Sequence, residues 1–354
     1  MSFLIIKNIR IAGISACVPA AIEENRTLPI FKDDPSEAEK VIQATGIERK
    51  RIVEPGVTSS DLGVKALEPL LDALKWERSS VDCLIFVSIT RDFIAPMTSC
   101  ILQDRLGLSD ECCVFDIPAG CAGWIYGMSV LSSLLSHGYF KRGILICAET
   151  NSLNRSSQDK TVKPLFGDAA TVTALEYSEK EEHEFRFSFG VDGSGYQAIW
   201  AQYGGSRYPI TPESLKEKEI EKGISRKGID MVVNGMDVFS FAIKRPPIAL
   251  QQMTEHFSID INRIDYLFLH QANKYIIDRI RKKLRIPPEK VPLSLIDFGN
   301  TTGASIPLTM VTECGETLKN KTSECLACGF GIGLAWGSAH FFIDKPVCLP
   351  LILY

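Results

Sequence analysis

Asp116-Ile-Pro-Ala-Gly-Cys121-Ala-Gly-Trp124 is the stretch whose reading decides this chain. The run before it, Cys113-Val-Phe-Asp-Ile117, is short, apolar and closed by proline and glycine, which predicts a buried strand. From Cys121 the period changes: Ala122, Ile125, Met128, Leu131 and Leu135 recur at helical spacing until Gly138 stops the run. Cys121 is thereby predicted at a strand-to-helix turn. A helix N-terminus offers free N–H groups and partial positive charge, both of which favour a thiolate. The competing reading is a core cysteine. The chain has 11 cysteines, and buried structural thiols are common and inert. A nucleophilic cysteine needs partners, distant in sequence and close in space, and the later sequence supplies candidates.

At 354 residues the chain suits two domains or one double-layered fold. Its 45% hydrophobic and 23% charged residues are those of an ordinary globular protein. A net charge of −4 argues against bulk nucleic-acid affinity, so an acidic partner needs a local basic patch. No apolar stretch is long enough to span a membrane. The first residues, Met1-Ser-Phe-Leu-Ile-Ile, are too short an apolar run for a signal peptide. With an odd number of cysteines this gives reduced thiols and a cytoplasmic location as the expectation. Cys325-Leu-Ala-Cys328 has the spacing of half a zinc site, but no second pair accompanies it, so no metal is expected.

Strands and helices alternate along the first half. Leu4 to Ile14 reads as one strand, 36–47 as a short helix, and Thr58 as the cap of a helix striped by Leu62, Leu67 and Leu70. Val81–Ser88 and Gly143–Ala148 read as buried strands, Ser99–Leu106 as a helix, and the block from Phe166 as a turn and strand. The charged segment 176–184 marks a seam, dividing the chain into halves 1–178 and 179–354. Residues 200–230, with the run Lys216–Lys222, read as an exposed loop or short helix. Val238–Phe257 reads as a helix interrupted near Pro246-Pro247. Then come a strand ending at His270, a helix from Ala272 to Leu284, and a closing strand pair from Cys325 to Phe342. The second half repeats the order of the first, which predicts a pseudo-duplicated, layered α/β fold.

His270 ends an apolar strand, and in an open α/β sheet that end faces the ligand crevice. Read alone it is equally a core histidine satisfied by backbone. Asn300 lies among small residues in Gly299-Asn-Thr-Thr-Gly-Ala-Ser-Ile-Pro307, where backbone can approach a ligand; read alone it is a turn asparagine.

Together, Ala-Gly-Cys121-Ala-Gly, Leu269-His-Gln-Ala-Asn273, Gly299 to Pro307 and Phe330-Gly-Ile-Gly333 resemble the β-ketoacyl-acyl carrier protein synthase III family. Thr45-Gly-Ile-Glu-Arg and Phe166-Gly-Asp168 extend the resemblance from about residue 5 to 343. It implies a thiolase-like α/β fold, two similar halves in a five-layered αβαβα arrangement, paired as a homodimer. It implies a decarboxylative Claisen condensation initiating fatty-acid-type synthesis. Cys121 becomes an acyl-enzyme, and the backbone N–H groups of Cys121 and Ile332 form the oxyanion hole. His270 and Asn300 hold the thioester carbonyl of malonyl-acyl carrier protein. It further implies Ala95 and Phe330 in the acyl pocket, and Gly235, Asn273, Arg279, Lys282 and Lys283 toward the pantetheine arm and the carrier protein. The implied partners are an acyl thioester and acyl carrier protein, with no metal or redox cofactor.

Several positions depart from the family pattern. The adenine-stacking tryptophan falls at Lys40 and its arginine partner at Lys160, which weakens coenzyme A recognition. Ala95 replaces a bulky aromatic, so the pocket is expected to take chains longer than acetyl. The family arginine after the histidine is Tyr275, leaving Arg279, Arg281, Lys282 and Lys283 as the basic cluster. The alternative within the same fold is a synthase-like acyltransferase of specialised metabolism that forms an ester, amide or diketone. A non-catalytic partner subunit is disfavoured, because Cys121, His270 and Asn300 are all present.

Overall fold

Strands buried on both faces set the architecture. In Cys83–Val87, Ile85 and Val87 join one apolar core while Leu84 and Phe86 join another. In Arg142–Glu149, Leu145 and Cys147 alternate in the same way with Ile144 and Ile146. This explains why both segments are continuously apolar instead of alternating. Each such side chain stabilises the fold by about 2 kcal/mol relative to exposure.

The computed structural model describes residues 2–354. One seven-stranded sheet contains Ile9–Val18, Cys83–Val87, Cys113–Ile117, Arg142–Glu149 and Ala169–Tyr177, extended by Val347–Cys348 and Ile352–Leu353. A five-stranded sheet contains Ser2–Ile6, Phe185–Val191, Tyr266–Leu269, Ser323–Gly331 and Ala335–Ile343. Helices Gly123–Leu135 and Ser305–Asn320 fill the space between the sheets with Trp124, Ile125, Met128, Ile306 and Met310. Ser59–Leu74 and Thr98–Arg105 cover the outer face of the first sheet, Gly235–His256 and Lys274–Leu284 that of the second. The result is the αβαβα stack of a thiolase-like fold.

Between Tyr177 and Phe185 the chain passes from one sheet to the other, but its two ends cross back. Ser2–Ile6 pairs with Phe185–Val191 of the second sheet, and the tail strands pair with Ile9–Val18 of the first. The single strand expected from Leu4 to Ile14 is therefore two strands in different sheets, broken where Asn8 takes φ +65°.

Other expectations also change. Cys113–Ile117 is an edge strand of half-buried residues, not a fully buried one. The helix Gly235–His256 runs through Pro246 and Pro247 uninterrupted. Phe241, Ala249, Leu250 and Met253 hold it in the core on either side of the missing hydrogen bonds. The charged run forms a hairpin, Lys218–Glu221 against Ile224–Arg226, turned at Gly223 with φ +79°. Cys325 belongs to the core between the sheets and Cys328 to the core beneath the outer helices, so three strand positions send the two thiols to opposite faces.

The two halves are tied behind the site by backbone. Asn300 N–H donates to the Leu165 carbonyl at 2.8 Å, and Gly167 N–H donates to the Asn300 carbonyl at 3.2 Å. The approach requires glycine: a Cβ at Gly167 would lie 2.2 Å from the Phe298 carbonyl oxygen.

Candidate active site

Cys121 follows the edge strand and lies two residues before the helix Gly123–Leu135, with Ala122 as its N-cap. It is buried, at 5% exposure. Gly331 packs against it so closely that a Cβ there would sit 2.6 Å from Sγ. The next residue, Ile332, directs its backbone N–H at the thiol.

His270 leaves the carboxyl end of Tyr266–Leu269, and its own N–H donates to the Cys328 carbonyl at 2.9 Å. Its Nδ1 is 2.8 Å from Ser305 Oγ, and its ring meets Phe330 edge-on with centroids 5.5 Å apart. The neighbouring Gln271 fixes this turn, donating to Leu269 O at 2.8 Å and accepting from Ser294 N–H at 3.1 Å. Asn300 accepts from the Thr302 N–H through Oδ1 at 2.9 Å, which orients its amide NH2 away from that contact. Thr302 is held at φ +54°, and Asn151 Nδ2 donates to its hydroxyl at 2.8 Å.

One pocket brings Cys121, His270, Asn300, Phe330 and Ile332 together. Gly235 and Asn273 line it as well, and Asn273 Oδ1 also caps the helix Lys274–Leu284 by accepting from Ile276 N–H at 2.8 Å. Phe239, Phe241 and Ile276 make the wall apolar. Ala95 is not brought to this pocket: it lies before Pro96 on an exposed loop of the chain. Arg155 does line the pocket, and sequence reasoning missed it because no motif surrounds it.

Burial dominates the electrostatics. The Cys121 thiol is pushed up to about 11 by desolvation, against the lowering contact with the Ile332 N–H. A helix N-terminus favours the thiolate, and burial opposes it here. His270 is pushed down to about 3 by desolvation, with the Thr302 backbone opposing, so its imidazole is neutral. The resting pair is a neutral thiol and a neutral imidazole.

Arg279, Lys282 and Lys283 are exposed on the helix Lys274–Leu284. Arg279 lies over the Tyr275 ring at 4.9 Å, and Tyr275 in turn packs near Phe239 at the pocket. Arg281 leaves the basic face by pairing with Asp278 at 3.1 Å. Lys40 is exposed, while Lys160 pairs with Glu37 at 3.4 Å.

The model of 3-oxoacyl-[acyl-carrier-protein] synthase III matches residues 115–193, and that of its C-terminal part matches residues 254–343. The β-ketoacyl-[acyl-carrier-protein] synthase III of Rhodopirellula baltica is 32% identical, covering 95% of this chain and 99% of that protein. The chain belongs to the β-ketoacyl-acyl carrier protein synthase III family. The Clostridium perfringens member is 33% identical over 94% of this chain and 98% of its own. Among solved structures, the 3-oxoacyl-(acyl-carrier protein) synthase of Burkholderia xenovorans superposes with TM-score 0.93 at 30% identity, covering 100% of this chain and 99% of that one. Xanthomonas campestris OleA, at 19% identity and TM-score 0.79, shares the fold. As a member of the family the chain is an acyltransferase of the synthase III type. Among the described residues, no helix is long and apolar enough to cross a membrane.

The raised thiol has a measurable consequence. A group titrating at about 11 is mostly protonated at neutral pH, and its thiolate fraction grows about tenfold per pH unit below that value. Iodoacetamide labelling of Cys121, followed by peptide mass spectrometry, is therefore expected to keep rising through pH 10. A plateau below pH 8 would show a thiolate stabilised in the resting site.

Proposed function

We propose that the chain catalyses a decarboxylative Claisen condensation between an acyl thioester and malonyl-acyl carrier protein, initiating fatty-acid-type synthesis. The observation that carries this is the convergence of Cys121, His270 and Asn300 on one largely apolar pocket. In the first step Cys121 attacks the acyl thioester, giving acyl-Cys121 and a free thiol, the proton of Cys121 passing to the departing sulfur. Backbone N–H groups of Cys121 and Ile332 hold the oxyanion, and these donors need no reorganisation as charge develops.

In the second step malonyl-acyl carrier protein enters along Gly235 and Asn273. His270, neutral, donates from Nε2 to the thioester carbonyl; in that tautomer Nδ1 accepts from the Ser305 hydroxyl, 2.8 Å away. Asn300 donates from its amide, whose orientation the Thr302 N–H fixes. Carbon dioxide leaves, the enolate attacks acyl-Cys121, and a β-ketoacyl-acyl carrier protein forms as the sulfur regains a proton. Phe330 closes the reacting face with its apolar edge and borders the acyl chain. A neutral donor pair suits this step, because charge appears on the enolate oxygen only as the carboxylate is lost.

The acidic carrier protein docks on Arg279, Lys282 and Lys283, exposed on the helix whose Ile276 lines the pocket. A homodimer in the cytoplasm completes the reading: the half-buried edge strand Cys113–Ile117 and the exposed Phe93, Ile94 and Met97 supply apolar surface for a second copy. The second reading, an acyltransferase with another acceptor, draws on Lys40 and Lys160, which lie where the family stacks adenine.

Intact mass after incubation with acyl thioesters is expected to show one adduct, lost in Cys121→Ala. Malonyl-carrier protein then removes it as β-ketoacyl product appears; discharge only by an amine, alcohol or β-ketothioester selects the second reading. His270→Ala is expected to slow condensation on the order of 100-fold or more. The pair Lys282→Glu and Lys283→Glu should raise KM for malonyl-carrier protein about tenfold at low salt, with the difference shrinking as salt rises. An unaltered KM would remove this face from docking. Sedimentation equilibrium is expected to give twice the chain mass, and a monomer at micromolar concentration would reject the dimer.

A further inference from the structure

Arg155 is buried in the pocket wall, at 8% exposure, and its contacts are all with protein groups. Its Nη1 donates to the Asn151 carbonyl and Oδ1 at 3.0 Å each and to Asn154 Oδ1 at 2.6 Å. Its Nη2 donates to the Met231 sulfur at 3.5 Å. One face of the guanidinium lies on the Phe166 ring, 3.7 Å from its centre. Burying such a charge is costly unless hydrogen bonds offset it. Here those bonds are concentrated on one short turn, Asn151–Asn154, with one aromatic ring beneath.

Both groups that Arg155 holds lead to Asn300. A guanidinium can only donate, so the Asn151 side-chain atom that meets it is the carbonyl oxygen, and the Asn151 NH2 is turned the other way. That NH2 donates to the Thr302 hydroxyl at 2.8 Å and to the Gly167 carbonyl at 3.1 Å. Thr302 is β-branched and sits at φ +54°, a conformation that such a residue keeps only where its surroundings hold it. In that conformation its N–H donates to Asn300 Oδ1 at 2.9 Å and sets the direction of the Asn300 amide. Asn151 and Thr302 are both fully buried, so the relay runs where solvent does not weaken it. The second path is shorter. Phe166, on which the guanidinium lies, is the bridge partner of Asn300, between the Leu165 carbonyl and the Gly167 N–H that take its backbone.

We propose that Arg155 is a positioning residue for the condensation step: through Asn151 and Thr302 it fixes the side-chain amide of Asn300, and through Phe166 the backbone that carries it. This rests on the condensation reading above, in which Cys121 alone is acylated and Asn300 acts only on the malonyl thioester. Arg155 is therefore required by one half-reaction more than by the other. A donor aimed at an enolate oxygen loses its value steeply when it is misplaced, because the oxygen it serves is charged only in the transition state. The opposing account is that Arg155 merely rivets the turn Asn151–Asn154, in which case both half-reactions suffer alike.

The test separates the two half-reactions by single-turnover intact mass: formation of acyl-Cys121 from an acyl thioester, then its discharge by malonyl-carrier protein. Arg155→Met is expected to slow discharge about tenfold or more beyond any slowing of acylation. Arg155→Lys is expected to fall between, since it keeps the charge and loses the planar arrangement. Equal slowing of both half-reactions by Arg155→Met overturns the proposal in favour of the rivet. The isosteric Asn151→Asp keeps its acceptors for Arg155 and replaces the donor to Thr302 by an acceptor, so it probes the relay with the guanidinium still seated. It is expected to slow discharge selectively as well, and an unaltered discharge rate overturns the relay even if Arg155→Met does not fold. In an Asn300→Ala background Arg155→Met is expected to cost less than about threefold further in discharge, because the group it positions is gone. The same tenfold cost in both backgrounds would show that Arg155 acts elsewhere, and overturns the proposal. A wild-type protein that forms no acyl-Cys121, or whose adduct malonyl-carrier protein leaves in place, is the failure of the condensation reading, and it is seen before any variant is compared.

Discussion

Two hydrogen bonds between Leu165–Gly167 and Asn300 fasten the loops that carry the site. Without them Asn300 would belong to the second half alone, hung on the short helix Leu295–Phe298 and the turn that follows it. With them, its backbone becomes a bridge partner of Phe166 and its amide is placed toward the pocket that Cys121 enters from the first half. The contact works only because Gly167 leaves room for the Phe298 carbonyl. Asn151 reinforces the same junction, donating both to the Gly167 carbonyl and to the Thr302 hydroxyl.

Desolvation governs the chemistry that this junction permits. Burial raises the thiol and lowers the imidazole together, so neither reacting group carries charge in the empty site. An ion pair of thiolate and imidazolium would suit a hydrolase that recruits water. Neutral partners suit a pocket in which charge is created on substrate oxygen and met there by fixed donors. The permanent charge on the pocket wall is placed elsewhere, on Arg155, whose Nη1 donates to the Asn151 carbonyl and Oδ1 at 3.0 Å each.

Much of this was legible in the sequence. The strand and helix around Cys121, the capped helix Ser59–Leu74 and the doubly buried strands follow from period and capping, which are local properties. Cys121, His270 and Asn300, which line one pocket, were marked by their motifs. Local reading failed where distant contacts override it: Pro246 and Pro247 inside an unbroken helix, a charged run folded as a hairpin, and an apolar edge strand half-covered.

The sequence by itself determined the family and the alternation of elements and singled out Cys121, His270 and Asn300 as candidates, because residue type and spacing encode these. Only the tertiary structure decided which chain ends cross between the sheets, and that both reacting groups are neutral. It also decided that Ala95 stands outside the pocket while Arg155 lines it. Desolvation and pocket membership are sums over neighbours remote in the chain, and no local pattern of residues carries that sum.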